Sequence, residues 1–215
     1  MTNKLLFFVL LALCFSGCDM LETHPYDVHI TGERELTNKN IQLIENKMQG
    51  KKTIRFAMIS DTQRWYNSTE DVVKALNARG DIDFVIHGGD QSDFGVTKEF
   101  IWMRDIFNKF QMPYVCLLGN HDCLGTGEDA YRAIYGDPNF AFTAGNVRFI
   151  CLNTNAMEYD YSEPVPDFNF IENELNNLSP EIEKTVFAMH VKPFEFVFNN
   201  NVATVSYTHL TLPTI

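Results

Sequence analysis

In this chain of 215 residues, a carboxylate, a second carboxylate, an amide beside an imidazole, and a further imidazole each follow a separate apolar run. Asp61 follows the run 53–60. Asp90 follows 84–87 through Gly88-Gly89, and Asn120 and His121 follow 114–118 within Gly119-Asn120-His121-Asp122. His190 follows 185–189. Two divalent ions about 3.5 to 4 Å apart need a shared anionic ligand, plus O or N donors that keep each ion in place. Asp90 suits the shared position, since one carboxylate can give an oxygen to each ion. Asp61 suits a terminal position on one ion, and the Asn120 amide oxygen with the His190 imidazole suits the other. Such mixed donors favour Mn, Fe or Zn over Cu or an iron–sulfur cluster. Water held between two cations is acidified and becomes a nucleophile towards phosphorus. A satisfied core histidine is the structural alternative for His190.

Groups of this kind collect outside the carboxyl ends of strands in open α/β sheets, so strands must deliver them. Apolar patterning predicts strands over 53–60, 84–87, 114–118, 147–153 and 185–189. Between them it predicts helices. The first covers 38–48, with Ile41, Ile44 and Met48 on one face. A second starts at the capping-box-like Ser68-x-x-Asp71 and runs to Arg79, with Val72, Ala75 and Leu76 facing inward. A third covers 97–110 and buries Phe100, Met103, Phe107 and Phe110; a fourth covers 168–178. Alternating strands and helices imply a layered α/β core.

The composition, 45% apolar and 21% charged, is that of a globular chain, and its length favours one domain with a real core. A net charge of −11 argues against a nucleic-acid surface, which needs clustered Lys and Arg, and so against a nuclease. A small phosphate ester drawn in by bound cations remains compatible with that charge. At the N-terminus, Lys4 precedes an apolar run from Leu5 to Phe15 that is too short for a stable span, which reads as a signal peptide over 1–17. Phe15-Ser16-Gly17-Cys18 resembles a bacterial lipoprotein cleavage box, which implies that Cys18 is lipidated and that the protein is exported to the cell envelope on a membrane anchor. Residues 18–52 read as a tether and leading helix, with a short strand over 26–31. Cys116, Cys123 and Cys151 match no zinc spacing; Cys116 and Cys151 read as buried thiols, or as a disulfide if their strands are neighbours. The stretch 205–214 matches the translation of a transposon-type sequencing adapter, so 53–204 is expected to be a partial domain and 205–215 a non-native tail, a genuine C-terminal strand being the alternative.

Taken together, Asp61-Thr62-Gln63, Gly89-Asp90-Gln91-Ser92-Asp93, Gly119-Asn120-His121-Asp122 and His190 resemble the calcineurin-like metallophosphoesterase family over roughly 53–192. That family reads D-x-H, G-D-x-x-D, G-N-H-[DE], a lone His, then G-H-x-H. The resemblance implies a layered β-sandwich flanked by helices, here without its C-terminal part. It implies hydrolysis of a phosphate mono- or diester at a binuclear metal centre through a bridging hydroxide. It implies that Asp90 bridges the ions, that Asn120 and His190 hold the second, and that His121 is a proton donor rather than a ligand. Asp93 would accept a hydrogen bond from His121, although its position also suits a loop or helix-entry residue. The chain departs from the pattern twice. Gln63 stands where the first motif has histidine, and ligates directly or through water. The G-H-x-H motif is absent, which predicts weak metal binding and impaired turnover. A non-catalytic phosphate- or metal-binding lipoprotein is the alternative. His87 reads as structural, and Arg64, Trp65 and Tyr66 read as residues of the substrate mouth or of an exposed loop.

Overall fold

The computed structural model describes residues 24–155 and 166–191, with the backbone of a strand at 202–206. In chain order the elements are α1 (Leu36–Met48), β1 (Phe56–Ile59), α2 (Tyr66–Arg79), β2 (Phe84–His87), α3 (Thr97–Phe107) and β3 (Tyr114–Cys116). They continue with α4 (Gly127–Ile134), β4 (Phe140–Ala144), β5 (Val147–Leu152), α5 (Phe168–Asn176), β6 (Lys184–Met189) and β7 (Val202–Ser206). One sheet is parallel, in the order β1-β2-β3; the other is mixed, in the order β4-β5-β6-β7, with only β4 antiparallel to its neighbour.

Period-two alternation sorts the strand side chains into layers. Phe84, Ile86, Val115 and Leu117 of the first sheet meet Phe142, Phe149, Cys151, Val186 and Ala188 of the second, and Ile44 and Met48 of α1 close this central core. The opposite residues, Val85, Tyr114 and Cys116, pack beneath Val73, Phe100, Met103 and Phe107 of α2 and α3. On the far side, Ile150, Leu152, Phe187 and Met189 pack against Ile171 of α5. The result is the layered α/β sandwich flanked by helices that the family resemblance implies. Strands hydrophobic on both faces, such as β2, are what a sheet covered on both sides requires.

Several expectations need correction. No strand forms at 26–31, and residues 24–35 are no loose tether. Their carbonyls are taken by side chains of the body: Thr97 Oγ1 donates to Asp27 O at 2.9 Å, and Arg104 Nη1 donates to Thr31 O at 2.5 Å. α2 begins at Tyr66 rather than at Ser68, because Trp65 N–H already closes a turn onto Thr62 O. Its inward face is therefore Thr69, Val73 and Leu76; Val72 is exposed, as is Ala75. α3 stops at Phe107, and Phe110 lies half-buried beyond it. The strand β4, whose burial alternates, was not foreseen. Cys116 and Cys151 are free thiols on different sheets, so no disulfide joins them.

Candidate metal centre

Asp61, Asp90, Asn120 with His121, and His190 leave the carboxyl ends of β1, β2, β3 and β6, which draws them to one edge of the sandwich from both sheets. The loops there are tied by backbone hydrogen bonds: Asp61 N–H to Gly89 O at 3.0 Å, and Thr62 and Gln63 N–H both to Asp90 O, at 3.0 and 3.2 Å. Asp61, Arg64 and Asp90 have φ of 56°, 67° and 61°, a left-handed backbone that is costly for residues with a Cβ. Strain of this kind persists only where surrounding bonds impose it, and it gathers at functional sites. Gly89, with φ 104°, is required by space as well: a Cβ would lie 2.7 Å from His190 Nδ1 and 2.8 Å from Gly119 Cα.

One ligand atom each from Asp61, Asp90 and His190 falls within 4.8 Å of the others. His190 is buried, and its Nδ1 lies 2.8 Å from Gly88 O. A carbonyl only accepts, so Nδ1 carries the proton and the neutral ring has its lone pair on Nε2. That nitrogen faces Asn120 Oδ1 at 2.9 Å and Asp90 Oδ1 at 3.5 Å. Three electron-rich atoms thus converge, an arrangement that calls for a positive charge between them. Gln63 Nε2 donates to Asp90 Oδ2 at 3.4 Å, and its Oε1 is buried with no hydrogen-bond partner among the described residues. An orphaned carbonyl oxygen beside the Asp90 carboxylate is a donor in want of a cation. Burial pushes the Asp90 carboxyl above its ordinary range, against the pull of His190 and the His121 N–H. The donor set fits divalent cations.

His121 Nδ1 donates to a partner on Asp93, but to its backbone carbonyl at 2.8 Å; the Asp93 carboxylate stands 3.6 Å away. That carboxylate, buried, is instead ion-paired at 2.8 Å with Arg64 Nη2, whose side chain is 67% exposed. His121 N–H donates to Asp90 Oδ1 at 2.9 Å, and the half-exposed ring leaves Nε2 turned from Asp93. Of the three residues after the first motif, Arg64 reaches the site. Trp65 is exposed, and Tyr66 packs edge-on against Trp102. His87 is structural, as expected. Its Nδ1 accepts from Gly89 N–H at 3.2 Å, so Nε2–H donates to Thr62 Oγ1 at 2.9 Å, and burial drives the ring down to about 3.

Two positioning carboxylates escaped the sequence reading. Asp122 is fully buried and accepts from the N–H groups of Asp90, Gln91, Ser92 and Gly119 at 2.8 to 2.9 Å, which binds the second and third motifs together. Burial pushes its carboxyl up to about 8, while the N–H donors pull it down. Glu99 Oε2 accepts from Ser92 Oγ at 2.6 Å and from the N–H groups of Asp93, Phe94 and Val96. Its place in the first turn of α3 was the available signal. Cys18 and the proposed leader lie outside the described residues.

Comparison with known proteins agrees with this geometry. A 3',5'-cyclic-nucleotide phosphodiesterase of Nostoc sp. is 27% identical over 124 residues, which cover 57% of this chain and 46% of that protein. The match thus spans about half the length of that relative. A purple acid phosphatase from yellow lupin (Lupinus luteus) seeds superposes with a TM-score of 0.51 at 17% identity, covering 66% of this chain and 31% of the other, which is a likeness of fold. The calcineurin-like phosphoesterase profile matches residues 54–211, most of the chain, and the protein belongs to that family.

Proposed function

We propose that this protein hydrolyses a small phosphate mono- or diester at a centre of two divalent ions, Mn, Fe or Zn. The observation that carries the reading is the convergence of His190 Nε2, Asn120 Oδ1 and the Asp90 carboxylate, with Asp61 alongside. Asp61, Asp90 and the unpartnered Gln63 oxygen would hold one ion, and Asp90, Asn120 and His190 the other. When bound, the ions supply Lewis acidity to the phosphoryl oxygens and to a water between them. The chain's own residues do the rest. Gly88 O fixes the His190 tautomer, so that Nε2 presents its lone pair. Asp93 O holds His121 Nδ1–H, so that in the imidazolium form the second N–H, on Nε2, is the proton passed to the departing alkoxide, leaving the neutral ring. Asp122 and Glu99 keep the loops from relaxing.

Mn-dependent cleavage of a nitrophenyl phosphate ester, abolished by a chelator, tests the reading. Without G-H-x-H, each ion has fewer imidazoles, and turnover of this chain is expected to be slow. With an alkyl phosphate ester, whose alkoxide needs a proton to leave, His121→Ala should lower the rate about 10²- to 10⁴-fold with Mn affinity unchanged; an unchanged rate would refute the assignment of the acid. Mn binding with no turnover would favour the non-catalytic alternative. From Phe15-Ser16-Gly17-Cys18 we also propose a lipid-anchored protein of the bacterial envelope. Mass spectrometry of the membrane-extracted protein checks this, and an unmodified Cys18 would rule it out.

A further inference from the structure

We infer that Arg64 is the residue that grips the substrate phosphate, an inference that rests on the phosphoesterase reading of the site. Arg64 directly follows Gln63 in the loop after β1. Its backbone is held at φ 67°, a conformation with a conformational cost for arginine that an ordinary exposed side chain gives no reason to bear. Its Nη2 lies 2.8 Å from Asp93 Oδ1, an ion pair without a directed hydrogen bond, since that oxygen has no hydrogen-bond partner among the described residues. Asp93 is the residue whose carbonyl orients His121, so the guanidinium stands beside the general acid.

The pairing is lopsided. The Asp93 side chain is 4% exposed and the Arg64 side chain 67%. A guanidinium has five N–H donors in a rigid fork, and one contact to a carboxylate leaves most of them facing solvent at the mouth. An arginine held near the site by an ion pair, with its N–H donors uncommitted to that carboxylate, can offer two of them to a tetrahedral oxyanion. Electrostatics points the same way. Asp61, Asp90 and Asp93 crowd the site of a chain with net charge −11, and the first motif carries a neutral Gln63 where the family has an imidazole. Among the described residues, Arg64 puts a cationic side chain beside Asp93, where it can meet an incoming phosphate.

The test uses the Mn-loaded full chain with Arg64→Ala and Arg64→Lys, and reads inorganic phosphate binding by calorimetry, Mn affinity, and ester hydrolysis. Arg64→Ala should weaken phosphate binding roughly tenfold to a hundredfold, the range for losing a charge-assisted contact, with Mn affinity unchanged. Arg64→Lys should recover part of the loss. In hydrolysis, the larger effect should fall on KM rather than kcat. Wild-type phosphate affinity in Arg64→Ala, or no phosphate binding by the Mn-loaded wild type, overturns the inference. A parallel loss of Mn affinity overturns it too, because Arg64 would then be only a loop support for the metal ligands. Arg64-dependent phosphate binding with no ester cleavage would sink the hydrolytic reading and leave this one standing.

Discussion

Asp122 shows how much a single buried group can decide. It touches no reacting atom, yet its two oxygens accept four backbone N–H groups from two motifs distant in sequence. An amide in its place would turn an NH2 towards N–H groups and leave some unpaired. Asp122→Asn should therefore cost roughly 3 kcal/mol in urea unfolding and weaken Mn binding as well. A stability change under about 0.5 kcal/mol would show that the loops hold without it. That Asp61, Asp90, Asn120, His121 and His190 gather at one edge was legible in sequence, since each follows an apolar run. The Asp93 partner was half legible: the residue was right, but the bond comes from its carbonyl. No sequence pattern says whether a carboxylate or its own backbone will face a ring when a nearby arginine competes for the carboxylate.

At the level of elements, the site depends on the ends of β2, β3 and β6 approaching more closely than side chains allow. Gly89 leaves that room. Gly89→Ala forces a left-handed backbone and drives a methyl towards His190 Nδ1 and Gly119 Cα. It should cost at least about 2 kcal/mol and displace His190, with Mn affinity falling more than tenfold in a direct titration. Wild-type Mn affinity in the variant would mean that His190 is not a ligand. Apolar runs placed β2 to the residue and most other elements to within a few positions. β4 is a five-residue strand just after Gly-Asp-Pro-Asn, in a stretch for which the apolar runs predict no element. The Ser-x-x-Asp signal points to a start two residues late and a face out of phase, because the turn that Trp65 N–H closes onto Thr62 O already begins α2 at Tyr66.

For the molecule as a whole, the buried neutral His87 links stability to pH. Its value falls from 6.5 to about 3, chiefly through burial. The unfolded chain therefore takes up a proton that the folded one refuses. Its contribution is intact above pH 6.5 and is lost as pH falls through that window towards 3, by up to about 1.4 kcal/mol per pH unit. His87→Gln keeps a donor and an acceptor without the titration, so its unfolding free energy should fall less steeply across that range; equal slopes would contradict the linkage. By itself the sequence determined the chemistry on offer and the class of scaffold, because both are written locally, in residue types at the ends of apolar runs and in their spacing. The tertiary structure decided which atoms meet: His190 from the second sheet against Asn120 from the first, Arg64 on Asp93, and Asp122 beneath two loops. Those contacts join residues far apart in the chain, and their geometry follows from how two sheets pack face to face, which no local pattern encodes.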